Sequence, residues 1–206
     1  MATTPATTPT TSTPRRGRPR SFDREAALEQ ALRLFWERGY EATSVADLTA
    51  AMGIRPPSLY AAFGDKRALF EEVVTRYRKT HGAYAPRALA EEPTARAGVA
   101  RMLHEAAAQG TDPDHPWGCL VISSTVNCTS PEVTGAVREL RNANVRALES
   151  LIRADIAAGH EPADADPAAL AAFTATVLQG MSQRARDGAS RAELELVATA
   201  AMRIWP

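Results

Sequence analysis

The stretch Thr43–Phe70, T-S-V-A-D-L-T-A-A-M-G-I-R-P-P-S-L-Y-A-A-F-G-D-K-R-A-L-F, constrains this chain more than any other. It reads as a short helix, a tight turn, a second short helix and the start of a third. Ser44 suits an N-cap, because its hydroxyl can accept from the orphan amides of a first turn. Asp47, three residues on, resembles the acidic partner of a capping box. Val45, Leu48 and Met52 fall at i, i+3 and i+7, one face of a helix. Gly53 then closes that helix, since glycine takes the left-handed conformation without steric cost, and Ile54 would plug the corner. Pro57 suits the first turn of the next helix, where a missing N–H is not needed. That helix is predicted over Ser58–Ala62, ended by Phe63-Gly64, and Asp65 caps the third with Lys66 in its first turn. Helix, glycine turn and short helix make the helix-turn-helix pattern, whose second helix enters the DNA major groove.

S-L-Y-x-x-F-x-x-K-x-x-L-F following T-S-x-x-x-L-x-x-x-x-G resembles the DNA-binding domain of the TetR/AcrR family of bacterial repressors over roughly residues 21–81. Beyond about residue 81 the chain is similar only to the general plan of that family, a divergent helical ligand and dimer domain. The resemblance implies an all-α fold in three parts: an Arg-containing arm over 1–20, a helix-turn-helix domain over 21–81 and a ligand-binding and dimerisation domain over 82–206. It implies that Ser44, with Thr43 and Val45 at the same helix edge, holds a DNA phosphate, since helix N-termini bind anions. Tyr60 and Lys66 match the family's phosphate-binding tyrosine and lysine. Pro57, Ser58 and Ala61 occupy the face that looks into the groove. Ala46 stands where some members place a basic residue that reads a base, and Ala61 and Ala62 replace larger side chains. Base readout then leans on Arg55, Ser58 and small apolar contacts.

The charge distribution agrees with that division. The formal net charge is zero, yet Met1–His81 holds 13 Lys+Arg against 9 Asp+Glu, and the remainder 11 against 15. A basic front and an acidic back suit a DNA reader joined to a domain that avoids DNA. Met1–Pro14 is a Thr, Pro and Ala tail that cannot build a core. Arg15, Arg16, Arg18 and Arg20 follow it, an arm of the kind that reaches phosphates or the minor groove.

Asp23 is expected to cap a first helix with Ala27, Leu28, Ala31, Leu32 and Phe35 inward and Trp36 beside them, ended by Gly39. The fourth helix is predicted from Asp65 to about Ala85, and Pro86 and Pro93 bracket a break or loop near Glu91-Glu92. Helices follow over 95–109, 130–158, 167–187 and from Ser190. Periodicity does not separate helix from strand in Trp117–Ser124, and the family plan makes it a short buried helix. The last two helices, with Val197 and Ala201 on their apolar stripe, resemble the family's dimer pair. Symmetric dimers fit palindromic operators.

No nucleophile elbow, P-loop, dinucleotide fingerprint or H-E-x-x-H motif occurs. The expectation is therefore a regulator and not an enzyme, with no cofactor. No apolar run approaches the ~20 residues of a membrane span, and no apolar segment follows Met1 as in a secretory signal, so a cytoplasmic protein is expected. Partners are expected to be a double-stranded DNA operator, a second copy of the chain and a small-molecule inducer. Met102, Trp117, Cys119, Phe173, Val177 and Met181 are the pocket candidates. Gly118-Cys119 resembles a G-C pair that some members carry, where in a few the thiol senses electrophiles. Thiol sensing by Cys119, or metal binding by Asp112, Asp114, His115 and Cys119, is thus an alternative to a non-covalent inducer. A helical small-molecule binder with a vestigial DNA domain is another.

Overall fold

The computed structural model describes residues 22–206. The Arg15–Arg20 arm, Arg18 included, lies outside the described residues. Ten α-helices and one 3-10 turn make up the described chain, with no strand among the described residues: α1 (Arg24–Arg38), α2 (Val45–Met52), α3 (Pro56–Phe63), α4 (Lys66–Lys79), a 3-10 turn (His81–Ala83), α5 (Tyr84–Glu91), α6 (Ala95–Gly110), α7 (Leu120–Ser123), α8 (Pro131–Ala158), α9 (Pro167–Arg186) and α10 (Arg191–Ala201).

Local chemistry explains the first four. Asp23 caps α1 by accepting from the amides of Glu25 at 2.9 Å and Ala26 at 3.2 Å. The capping box at α2 is complete, with Ser44 and Asp47 each accepting from the other's backbone amide. Gly53 ends α2 in the left-handed region at φ 63°, where a β-carbon would be strained. Prolines at the start of α3 remove amides that would have no helical partner. These helices close on Leu32, Phe35, Trp36, Leu48, Leu59, Phe63, Leu69 and Phe70, all buried. Phe35 meets Phe70 edge-on at 5.1 Å between centroids, and Trp36 meets Tyr77 at 4.8 Å.

One sequence expectation changes here. The fourth helix stops at Lys79, short of Ala85. Thr80 leaves helical geometry, and its hydroxyl donates back to the Arg76 carbonyl at 3.0 Å. The chain then re-enters a helix at Tyr84 with Pro86 in the first turn of α5, and the expected break falls just after Glu91, between α5 and α6. Helix α7 is only four residues long. Gly118 precedes it at φ 81°, and a β-carbon there would stand 2.8 Å from the Ser182 carbonyl oxygen.

The C-terminal helices pack on a second cluster containing Met102, Leu103, Leu148, Ile152, Leu170, Met181, Leu194 and Trp205. Asp155 of α8 anchors the start of α6: its carboxylate accepts from the Ala95 amide. The first cluster is not confined to α1–α4. Leu120, Val121, Val133 and Val137, from α7 and the start of α8, belong to it. Polar ties cross the same boundary. The Tyr40 amide donates to the Ser124 carbonyl at 2.7 Å, Arg33 donates to the Asp114 carbonyl at 2.7 Å, and the amide and hydroxyl of Thr129 both donate to Glu41.

Candidate nucleic-acid interface and ligand cavity

Helix α3 buries Leu59 and Phe63 and turns Arg55, Pro57, Tyr60 and Ala61 outward. Ser58 is half-buried at the edge of that face. Tyr60 is the most exposed aromatic of α1–α4, the helix-turn-helix head, at 51%. A large apolar ring left that open on a rigid helix is free to meet another surface, with a hydroxyl at its tip. Lys66 opens α4, with its ammonium 4.3 Å from the centre of the Tyr40 ring. Partial burial lowers its pKa, while Glu41, Cys128 and Asp47 act in the other direction. The Tyr40 ring thereby orients the lysine, a contact between residues too far apart in sequence to be read beforehand.

At the start of α2 the arrangement differs from a hydroxyl held ready for phosphate. Ser44 donates its hydroxyl to Asp47, and hydrogen bonds from Ser44 pull the Asp47 carboxyl below its ordinary range. The exposed anion-binding groups left at that helix edge are the first-turn amides of Val45 and Ala46. Thr43 is turned inward: it is fully buried and its hydroxyl donates to the Gly39 carbonyl at 2.7 Å. The expectation of Thr43 at the DNA edge is corrected on that ground, because its polar atom is already committed inside the fold. Val45 is half-buried against the first core cluster.

A cavity of about 510 Å3 lies where α4, α5, α6, α7, α8 and α9 converge. That volume is in the range of small-molecule sites. Met102, Cys119 and Met181 line it as expected. Trp117, Phe173 and Val177 do not. Trp117 is turned outward at 39% exposure by the reversal at Gly118. Phe173 and Val177 pack as half-buried residues against the second core cluster. The wall instead recruits Trp36 from α1, Tyr77 from α4, His81 from the 3-10 turn, Tyr84 from α5 and Arg141 from α8. Trp36 thus serves both the core of the head and the wall of the cavity.

Cys119 donates its amide to the Ser182 hydroxyl at 2.9 Å, which fixes the start of α7 to α9. Burial raises its thiol pKa, and a hydrogen bond with Tyr77 only partly offsets this. A thiol so placed stays protonated, the unreactive form. Asp112 and His115 approach to 4.0 Å. Among the described residues no group of three His, Cys, Asp or Glu side chains is arranged to hold a metal ion. No helix there is long and apolar enough to cross a membrane.

Comparison with known proteins bears on both regions. The family model "Bacterial regulatory proteins, tetR family" matches residues 27–73, and "Tetracyclin repressor-like, C-terminal domain" matches residues 93–201. The chain is 37% identical to the HTH-type transcriptional repressor ComR of Escherichia coli K12, over 93% of this chain and 92% of that protein. It is 36% identical to the HTH-type transcriptional repressor BdcR of the same organism, over 90% and 89%. Among solved structures, a cysteine-substituted form of the TetR family transcriptional regulator CifR complexed with 26-bp double-strand operator DNA is 45% identical. It covers 92% of this chain and all of that one, with a TM-score of 0.86.

Proposed function

The chain belongs to the TetR family of bacterial regulatory proteins, and from that membership we propose that it is a homodimeric transcriptional repressor whose hold on a palindromic operator is released by a small molecule. Helix α3 is the reading helix in this account. Arg55, Pro57, Ser58 and Ala61 face base edges, while Tyr60, Lys66 and the first-turn amides of α2, whose cap is Ser44, take phosphates. Solved structures of CifR, 45% identical to this chain and complexed with operator DNA, support a DNA-binding role.

The observation that carries the ligand response is the double role of Trp36. Its side chain is 1% exposed in the core of the head, and it also lines the cavity. A molecule that changes the cavity wall therefore acts on the orientation of α1. In a dimer the two reading helices must sit about one DNA turn apart, roughly 34–36 Å. A ligand favouring a different separation weakens DNA binding by its differential affinity for the two states. The exposed apolar side chains of Leu196, Val197 and Ile204 support a dimer contact along α10 and its C-terminal extension. The half-buried Cys119, its thiol pKa raised, favours a non-covalent ligand over thiol chemistry.

Selection from a random duplex pool with the full chain tests this reading. A palindrome should be enriched, with half-sites centred about one helical turn apart. Enrichment of single half-sites, or of nothing, would contradict it.

A further inference from the structure

The cavity wall carries a charge bias that its surroundings do not share. No aspartate or glutamate lines it, while Arg78, Lys79 and Arg141 do. Residues 82–206 as a whole hold 15 Asp+Glu against 11 Lys+Arg, so a wall drawn at random from this part of the chain would contain carboxylates. Arg78 and Lys79 stand in the last turn of α4, where cations complement exposed carbonyls, and they need no ligand to explain them. Arg141 has no such explanation. It is half-buried in the middle of α8, and its Nη1 donates to the Val121 carbonyl at 2.9 Å and to the Thr125 hydroxyl at 3.3 Å. Its Nε and Nη2 have no protein partner among the described residues, and it forms no salt bridge there. Residues 1–21 contain no Asp or Glu. Burial lowers its pKa, and the like charge of Arg138 acts in the same direction.

Withdrawing a guanidinium from water without an opposing charge is costly, and arginine offers a planar fork suited to a carboxylate. Two further buried groups on this wall are donors, beside the side-chain amides of Gln109, Asn144 and Gln179, which both donate and accept. The buried Trp36 Nε1 has no acceptor among the described residues. The Tyr84 hydroxyl makes no hydrogen bond there, and burial keeps its phenol protonated. An acceptor-only ligand group matches Arg141, Trp36 Nε1 and the Tyr84 hydroxyl, whereas an amine would set like charge beside Arg141. Apolar side chains, Met102, Leu148 and Leu178 among them, face these groups across the cavity.

We infer that the cavity takes an organic carboxylate with an apolar body, its carboxylate paired with Arg141 and its body seated between α6, α8 and α9. This rests on the ligand-responsive reading above and names the chemical class of the ligand.

Calorimetric titration of the full chain with decanoate, phenylbutyrate and naphthylacetate, each beside its primary amide and its amine, tests the inference. At least one carboxylate should bind about tenfold or more tightly than its amide, with the amine weakest, as a charge-assisted hydrogen bond implies. Arg141→Gln should erase that preference and Arg141→Lys should keep most of it. If Arg141→Gln does not fold, the comparison across the three head groups on the wild-type protein decides alone. An amide or amine binding as tightly as its carboxylate, or no binding by any compound of the set, overturns the inference. Operator binding followed in the same samples separates the two readings. Carboxylate binding that leaves DNA bound upholds this site and contradicts release by ligand. Absence of carboxylate preference with operator binding intact overturns this site and leaves the DNA-binding reading standing.

Discussion

The guanidinium of Arg186, on α9, donates to the carbonyl oxygen of Trp36 at 3.2 Å, joining the C-terminal helices to the last turn of α1. A second donor of the same side chain reaches the Glu37 carbonyl at 2.9 Å. These are carbonyls at a helix end with no amide left to meet them, so the arginine acts as a C-terminal cap supplied from another helix. Its own aliphatic stem is held by Gly118, where a β-carbon would come within 2.9 Å of Arg186 Cγ. Cavity wall, α9 and α1 are therefore mechanically continuous.

Arg186→Met should keep the fold and lose the cap, lowering stability by about 1 kcal/mol. Hydrogen exchange should show faster exchange at the C-terminal end of α1, with the α6 core unchanged. Uniform protection across α1 in the variant would show that the cap is idle.

Thr43→Val separates a structural threonine from a DNA contact. The side chain is fully buried and its hydroxyl satisfies the Gly39 carbonyl. Leaving that carbonyl unpaired should cost about 1–3 kcal/mol in thermal or denaturant unfolding, with the salt dependence of DNA binding unaltered. A shallower salt slope with wild-type stability would place Thr43 at the phosphates instead.

Much of the reading head is legible in the sequence because its signals are local. Ser44 and Asp47, Gly53 and Pro57 each act on the turn they occupy. The stop at Lys79 is not legible, because apolar spacing continues past it and the break depends on the Thr80 backbone. The cavity is the least legible part. Trp36, Tyr77, Tyr84 and Arg141 reach it from four helices, and nothing in their own neighbourhoods marks them. Trp117 is turned out of the cavity by the positive φ of Gly118, a backbone state that its own residue type does not signal.

Val197 is 42% exposed beside the more open Leu196 on α10, whereas Ala201 of the same stripe is 5% exposed and belongs to the core. Val197→Glu should therefore give a folded monomer in sedimentation, while Ala201→Glu should lower stability instead. A Val197→Glu protein that remains dimeric would move the interface off α10.

His81 sits 5.0 Å from the Trp36 ring centre and 4.9 Å from that of His115. Burial lowers its pKa, His115 and Arg33 add to that, and Glu29 and Asp112 oppose it. Below the ordinary histidine pKa of about 6.5 the unfolded chain binds the proton more readily than the folded one. The contribution of neutral His81 is then full above that value and is lost as pH falls through its lower folded pKa. Glu161, whose carboxyl burial raises, works with the opposite sign. The comparison with His81→Gln isolates the histidine: from about pH 7 to pH 5 the wild-type melting temperature should fall more steeply than that of the variant. Parallel curves would contradict the assignment.

The central claim is that this chain holds DNA through the outward face of α3 and the start of α4. The most direct test is operator affinity measured across salt concentrations for the wild type, Lys66→Ala and Tyr60→Phe, using the duplex recovered by selection. The account predicts a steep wild-type slope, one shallower by about one unit for Lys66→Ala, and weakening of operator and random DNA alike in both variants. Unchanged affinity and unchanged slope in Lys66→Ala would contradict it.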